Sequence, residues 1–270
     1  MTCLLAALAF LAPSTVAPES EGPARGYLVI VGGGATGREI TAKFRELAGG
    51  ESAHIVMIPT ANTDSQIHID AIKKRGYPGV ANFDVIHTRD RKIADSKEFV
   101  KPLLTATGVW LDGGRQWRLA DAYLGTRTLR EINAVLDRGG VVGGSSAGAT
   151  IQGSFLIRGA AGANGADGDN RIMMSPDHLA GFGLLSNSAI DQHIITRHRE
   201  NDLESVIKAH PELLGIGIDE STAIIVHGHE FEVIGKSKVA VWDRKDHSGK
   251  GYQFLASGQK FDMAKREIEK

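Results

Sequence analysis

Gly139-Gly140-Val141-Val142-Gly143-Gly144-Ser145-Ser146-Ala147-Gly148-Ala149 is the stretch from which the rest of the chain can be read. Val141 and Val142 close a short buried strand, and four small residues carry the chain into a helix that opens near Ala147. Gly144-x-Ser146-x-Gly148 has the spacing of a nucleophile elbow, a strand-to-helix turn tight enough to lift one hydroxyl above a sheet. A Cβ on either side would obstruct the turn and keep a substrate off the backbone. Ser146 then stands over the first N–H groups of the new helix, which can hold an oxyanion. The plainer reading is a Gly/Ser loop in which Ser145 or Ser146 only caps the helix.

Outward from this turn the chain alternates. Tyr27 to Val31 is a continuous apolar run, as a strand covered on both faces requires. A helical segment follows at 38–48, a second strand at 54–58, a helical segment at 64–75 and a third strand at 84–87. A helix at 95–105, a fourth strand at 108–111 and a helical segment at 117–137, broken near Gly125, lead back to the elbow. Strand and helix repeated in this way predict an α/β fold: a doubly wound, mostly parallel sheet with helices on both faces. Residues 159–170 read as a long exposed loop and residues 200–210 as a helix. The short runs 222–227, 231–234 and 238–242 read as antiparallel additions at the C-terminal edge. Chemistry in such a sheet gathers at the carboxyl ends of its strands.

Composition narrows the function. Of 270 residues, 42% are hydrophobic, 23% are charged and 33 are glycine, which suits a loop-rich α/β enzyme and excludes a disordered or fibrous chain. A formal charge of −1 gives no electrostatic case for a nucleic-acid partner. Cys3 is the only cysteine, so a disulfide framework, a thiolate metal site and a cysteine nucleophile are all excluded. Residues 3–12 form an apolar run of signal-peptide length, too short to span a bilayer. Residues 1–25 therefore read as a signal peptide and flexible leader, and 26–270 as one catalytic domain. Export to the periplasm or exterior is expected, or a cytoplasmic location if the apolar leader is a start-site artefact. No later segment reads as a membrane span, and a homodimer is compatible with these features.

Four stretches lie where a strand should end. Gly32-Gly33-Gly34-Ala35-Thr36-Gly37 matches G-x-G-x-x-G. A dinucleotide site also wants an acidic residue closing the second strand, where the chain reads Met57-Ile58-Pro59-Thr60-Ala61. A glycine-rich turn packed near the active site is the better reading, and no cofactor is expected. Asp112-Gly113-Gly114-Arg115-Gln116 follows the fourth strand, so an N–H of Gly113 or Gly114 can join that of Ala147 in an oxyanion hole. Asp191-Gln192-His193 ends an apolar run and offers an imidazole to serve as base for a serine, with His198 as the rival. Asp219-Glu220 ends another and offers a carboxylate to orient that imidazole.

Taken in order, the G-G-S-S-A-G elbow, the upstream G-G-x-Q, the D-Q-H-x-x-x-R and the G-I-G-I-D-E resemble the cyanophycinase/peptidase E family of serine peptidases. The resemblance runs from about Tyr27 to Asp243 and implies a class I glutamine amidotransferase-like fold. It implies Ser146 as nucleophile, His193 as general base and Glu220 as the acid that orients the histidine, with no metal or organic cofactor. Gln116, Gln192 and Arg197 fall on positions that line the substrate pocket of cyanophycinases, and Asp191 and Arg115 beside them are expected to bind substrate as well. The implied partner is a peptide substrate, either cyanophycin, a polyaspartate carrying amide-linked arginines, or an aspartate-containing dipeptide. Two positions depart from the family pattern with reversed charge: Arg115 where the family commonly has aspartate, and Asp202 where it commonly has arginine. Opposite reversals occurring together predict an ion pair between Arg115 and Asp202 with its ends exchanged. An aspartyl or isoaspartyl dipeptidase, a dinucleotide-binding protein and a non-catalytic relative are the competing readings.

Overall fold

A computed structural model describes residues 19–269. Five parallel strands form the heart of the main sheet: β1 (Tyr27–Val31), β2 (His54–Ile58), β3 (Asn82–Val85), β4 (Gly108–Leu111) and β5 (Val141–Ser145), in the order β3-β2-β4-β5-β1. Side chains alternate between faces along each strand. In β1, Leu28 and Ile30 enter one core cluster while Val29 and Val31 enter another. Both faces are covered, which is why the run is apolar throughout. Helices α1 (Arg38–Leu47) and α2 (Ile69–Arg75) cover the side of Val29. Helices α3 (Arg91–Ala94), α4 (Gln116–Tyr123), α5 (Arg127–Asp137) and α6 (Ala147–Thr150) supply the other. Phe44 of α1 lies over Gly143 with its ring edge-on to Trp110, centroids 5.0 Å apart, and a Cβ on Gly143 would meet that ring.

The remaining strands are β6 (Gly153–Phe155), β7 (Leu185–Gln192), β8 (Leu214–Ile218), β9 (Thr222–His227), β10 (Glu230–Gly235), β11 (Lys238–Trp242), β12 (Gln253–Ala256), β13 (Lys260–Asp262) and β14 (Glu267–Ile268). The antiparallel additions at the edge are there: β9 pairs with β1, then β10, β13 and β14 follow. The others build a second sheet, ordered β12-β11-β8-β7-β6. It shares the large core cluster with the main sheet, and its far face packs on α7 (Leu203–Ala209). The run 238–242 thus belongs to the second sheet rather than to the edge of the first.

Several sequence expectations shift. The third strand begins at Asn82, two residues before the predicted start. The segment 64–75 divides because Gln66 folds back on Thr63, its Oε1 accepting from Thr63 Oγ1 at 2.8 Å, and the helix restarts at Ile69. No continuous helix spans 95–105: Asp95 gives its carboxylate to the Arg127 N–H at 2.6 Å, and Pro102 has no N–H to donate. Helix α7 starts only after Asp202. The loop 159–170 is pinned rather than free, since Asp167 accepts from Arg118 Nη2 at 2.7 Å.

The apolar run 3–12 lies outside the described residues. The end of the presumed leader does not, and it is docked. Ser20 is buried and donates to Asn187 O at 2.8 Å, and Gly22 N–H donates to Gly228 O at 2.8 Å. Residues from Glu19 onward in the presumed leader are therefore docked on the same body as residues 26–269.

Candidate active site

The site forms where three neighbouring strand ends meet. β5 lies between β1 and β4, so Ser146 is flanked by the glycines that follow each of them. Ser146 has φ 55° and ψ −110°, a strained conformation for a residue with a side chain. Its N–H donates to Val31 O at 3.0 Å, which ties the turn to β1. Gly148 is needed behind it, because a Cβ there would run into the Leu111 carbonyl.

The second sheet delivers the other two side chains. β7 and β8 pair in parallel with Gln192 opposite Ile218, so both chains leave the sheet at the same level. His193 follows β7, 5% exposed, with its N–H on Gly32 O at 2.9 Å. Glu220 lies where the chain passes from β8 in one sheet to β9 in the other. Ser146 Oγ is 2.9 Å from His193 Nε2, and His193 Nδ1 is 2.6 Å from Glu220 Oε1. Burial pushes the imidazole below its ordinary pKa, and Arg197 and Arg199 push the same way against Glu220. A neutral ring at pH 7 is the form that can accept a proton.

Asp219 serves a different purpose. Burial alone would raise its pKa, but hydrogen bonds outweigh that and hold it below the usual carboxylate range. It accepts from the N–H of Ile195 at 3.1 Å, from Thr196 N–H and Oγ1 at 2.9 Å each, and from Ser237 Oγ at 2.7 Å. It fixes the turn that follows His193 and makes no bond to the ring.

The glycine-rich turn after β1 is the floor of this arrangement. Gly33 has φ +112°, and a Cβ on it would stand 2.6 Å from His193 Nε2; on Gly34 it would stand 2.6 Å from Glu220 Oε2. The imidazole and carboxylate fill the space over the turn that a dinucleotide phosphate would need. On the opposite flank, Gly113 is close enough that a Cβ would lie 3.6 Å from that of Ser146. Its N–H is donated to Asp112 Oδ1 at 3.0 Å, whereas no acceptor meets the N–H of Gly114 or Ala147 among the described residues.

The expected substrate-binding residues separate. Gln116 is buried, its Nε2 donating to Ile157 O at 2.8 Å and Arg158 O at 3.0 Å. Gln192 is buried and accepts from Arg199 at 3.3 Å, while Arg197 is exposed. Asp191 is enclosed: its side chain is 0% exposed and both oxygens hold Arg158, by Nε and Nη2 at 2.8 Å each. Arg115 and Asp202 do not pair with each other. Arg115 Nε lies 3.2 Å from Asp167, and Asp202 accepts from Arg158 Nη2 at 2.6 Å. Each of the two charges thus has its own partner in a loop. Sequence reasoning missed Arg158 and Asp167, which sit in irregular segments with no periodic signal. Arg199 was in view, two residues beyond Arg197 in the same basic run.

Peptidase family S51 matches residues 28–234 of this chain. The chain belongs to that family. The cyanophycinase of Geminocystis herdmanii is 33% identical over 225 residues, covering 81% of each chain. That of a Nostoc species is 34% identical over 226 residues, covering 80% of this chain and 73% of its own. A solved peptidase from an acI-B1 Actinobacterium has the same fold, with a TM-score of 0.65 at 22% identity over 90% of this chain and 98% of its own. As an S51 member the chain is a serine-type peptidase of cyanophycinase type, with the class I glutamine amidotransferase-like fold. No helix among the described residues is long and apolar enough to cross a membrane, and no group of three or more His, Cys, Asp or Glu is placed there to hold a metal ion.

Proposed function

We propose that Ser146, His193 and Glu220 are the catalytic triad of an exopeptidase that releases small dipeptides from cyanophycin or another aspartate-containing peptide. One observation carries this: the unbroken hydrogen-bonded line from Ser146 Oγ through both imidazole nitrogens to Glu220, at 2.9 and 2.6 Å, starting from a serine in strained backbone. Ser146 Oγ attacks the scissile carbonyl while its proton passes to His193 Nε2. The imidazolium returns that proton to the leaving amine as the C–N bond breaks, leaving an acyl-enzyme on Ser146. Water, deprotonated by the same ring, then frees the acid. Glu220 holds the ring in the tautomer with Nδ1 protonated and steadies its positive charge. The N–H of Ala147 and that of Gly113 or Gly114 stabilise the oxyanion. Gly114 enters that role without breaking a bond, whereas Gly113 must first leave Asp112.

Gln116, Gln192 and Arg197 shape the substrate pocket in this reading. The domain extends over the whole described body, and the apolar run 3–12 supports export. Incubation with cyanophycin and with an Asp-Xaa dipeptide panel, followed by mass spectrometry of the products, tests the assignment. Dipeptide release from either substrate is expected, with losses on the order of 10³ or more in Ser146→Ala and His193→Ala. Release that survives Ser146→Ala would refute it.

A further inference from the structure

The proposed triad is assembled across two sheets. Ser146 leaves β5 of the main sheet, whereas His193 leaves β7 of the second. A shared apolar core holds the sheets together, but apolar attraction is non-directional and does not fix how far one strand lies along another. Directional bonds do. At its carboxyl end β7 is pinned through the His193 N–H on Gly32 O at 2.9 Å. Its other end is pinned by residues that the sequence reads as leader. Asn187 Nδ2 donates to Glu19 O at 2.7 Å, and Asn187 O accepts from Ser20 Oγ at 2.8 Å. The Ser186 N–H donates to Glu21 O, and Ser186 Oγ accepts from the Glu21 N–H, at 2.9 Å each.

The same segment then crosses to the main sheet. In the turn between β9 and β10, Gly228 O accepts from the Gly22 N–H at 2.8 Å, and the Gly228 N–H donates to Pro23 O at 3.1 Å. Gly26 O accepts from His227 Nδ1 at 2.9 Å just before β1 begins. Two details mark this as a fitted contact. Asn187 holds φ +44° inside a strand, a strained value that its bonds to Glu19 and Ser20 offset. Gly22 has no room for a side chain, since a Cβ there would stand 2.6 Å from Val226 Cγ1 on β9.

We propose that residues 19–26 are a positioning strap: by tying the start of β7 to the main sheet, they set where its other end presents His193 to Ser146. Asn187 and His193 are separated by about 20 Å of strand, and a misplacement of about 1 Å at the imidazole costs on the order of 10² in rate. The kinetic consequence rests on the triad reading above; the tie between the segment and β7 does not.

The test uses the full chain with Gly22→Ala, which changes no residue of the site. Amide hydrogen exchange in the peptide spanning 185–193 should quicken roughly tenfold as the start of β7 opens locally. Fluorophosphonate labelling of Ser146, read at a temperature where the variant is fully folded, should slow about tenfold. The kcat for dipeptide release should fall by the same factor with KM unchanged. Adding Val226→Ala removes the atom that the new methyl meets and leaves Gly228 O, at 3.4 Å, as its nearest neighbour. Both readings should then return to within about threefold of the parent, as coupled neighbours do. Exchange that quickens while labelling keeps its rate would make the segment a stabilising contact only and overturn the proposal. Slow labelling that Val226→Ala does not restore would overturn it as well. A parent enzyme that does not label refutes the triad, whereas one that labels and is indifferent to Gly22→Ala refutes the strap alone.

Discussion

Gly33→Ala should disable the enzyme from beneath the imidazole without touching any residue of the proposed triad. At φ +112° the position is strained for any L side chain, costing about 1–3 kcal/mol. The added methyl would also stand 2.6 Å from His193 Nε2 and 2.7 Å from Nδ1. Reaching an ordinary separation of about 3.5 Å requires the ring to retreat by roughly 1 Å. His193 cannot retreat freely, since its N–H is held on Gly32 O and its Nδ1 on Glu220. The contact that yields is the 2.9 Å one to Ser146 Oγ. A misplacement of about 1 Å costs on the order of 10² in rate, so kcat/KM should fall by about that factor or more, together with a lowered Tm. Gly37→Ala is the control: no atom lies within 4 Å of a Cβ there and φ is −62°. It should keep activity within about threefold, as open surface positions do. The pair also distinguishes a turn that carries an imidazole from one that carries a phosphate. Gly33→Ala retaining kcat/KM within threefold of the parent, with a folded-state Tm, would refute this reasoning.

Glu220→Gln and Asp219→Asn should separate activity from stability. The first should lower kcat strongly with little change in Tm; the second should lose about 1–3 kcal/mol from unsatisfied donors and less activity, as kinetics and thermal melts would show. A depressed His193 pKa predicts that kcat/KM rises with pH through a limb below the ordinary imidazole value of about 6.5, and that Arg197→Gln moves the limb upward by removing a cation that favours the neutral ring. The same shift stabilises the fold: the contribution is complete above the unfolded-state value and is lost as pH falls through the folded one. Asp191→Asn should act on stability rather than on KM, costing about 3–5 kcal/mol in urea unfolding, because it leaves a buried guanidinium short of its partner.

The parallel core was legible because its inner strands β1, β2 and β4 are covered on both faces, which leaves continuous apolar runs such as Tyr27–Val31, whereas the edge strand β3 is half-exposed and its start was misplaced. The tight turn at Ser146 was legible from glycine spacing, since only a residue without a Cβ lets Gly148 approach Leu111 O, but the role of its hydroxyl needed the neighbouring motifs. The second sheet was not. Its strands β7 and β8 are as buried as those of the first, and nothing in a buried run says which sheet it joins. The charged contacts were the least legible. Arg158, Asp167 and Asp202 meet through loops whose separation in sequence carries no period, so the Arg115–Asp202 pairing followed from charge alone and was wrong. The choice between the adjacent carboxylates was likewise a matter of geometry: Asp219 turns to the Ile195–Thr196 backbone and Glu220 to the imidazole.

The central claim is that Ser146 is a nucleophile activated by His193, and fluorophosphonate labelling followed by peptide mass spectrometry tests it most directly. One adduct per chain is expected, on the peptide containing Ser146 and on that residue. Labelling should be absent in Ser146→Ala and slowed on the order of 10³-fold or more in His193→Ala, while Ser145→Ala should label normally. An adduct on Ser145, or labelling of Ser146 at an unchanged rate without His193, would contradict the account.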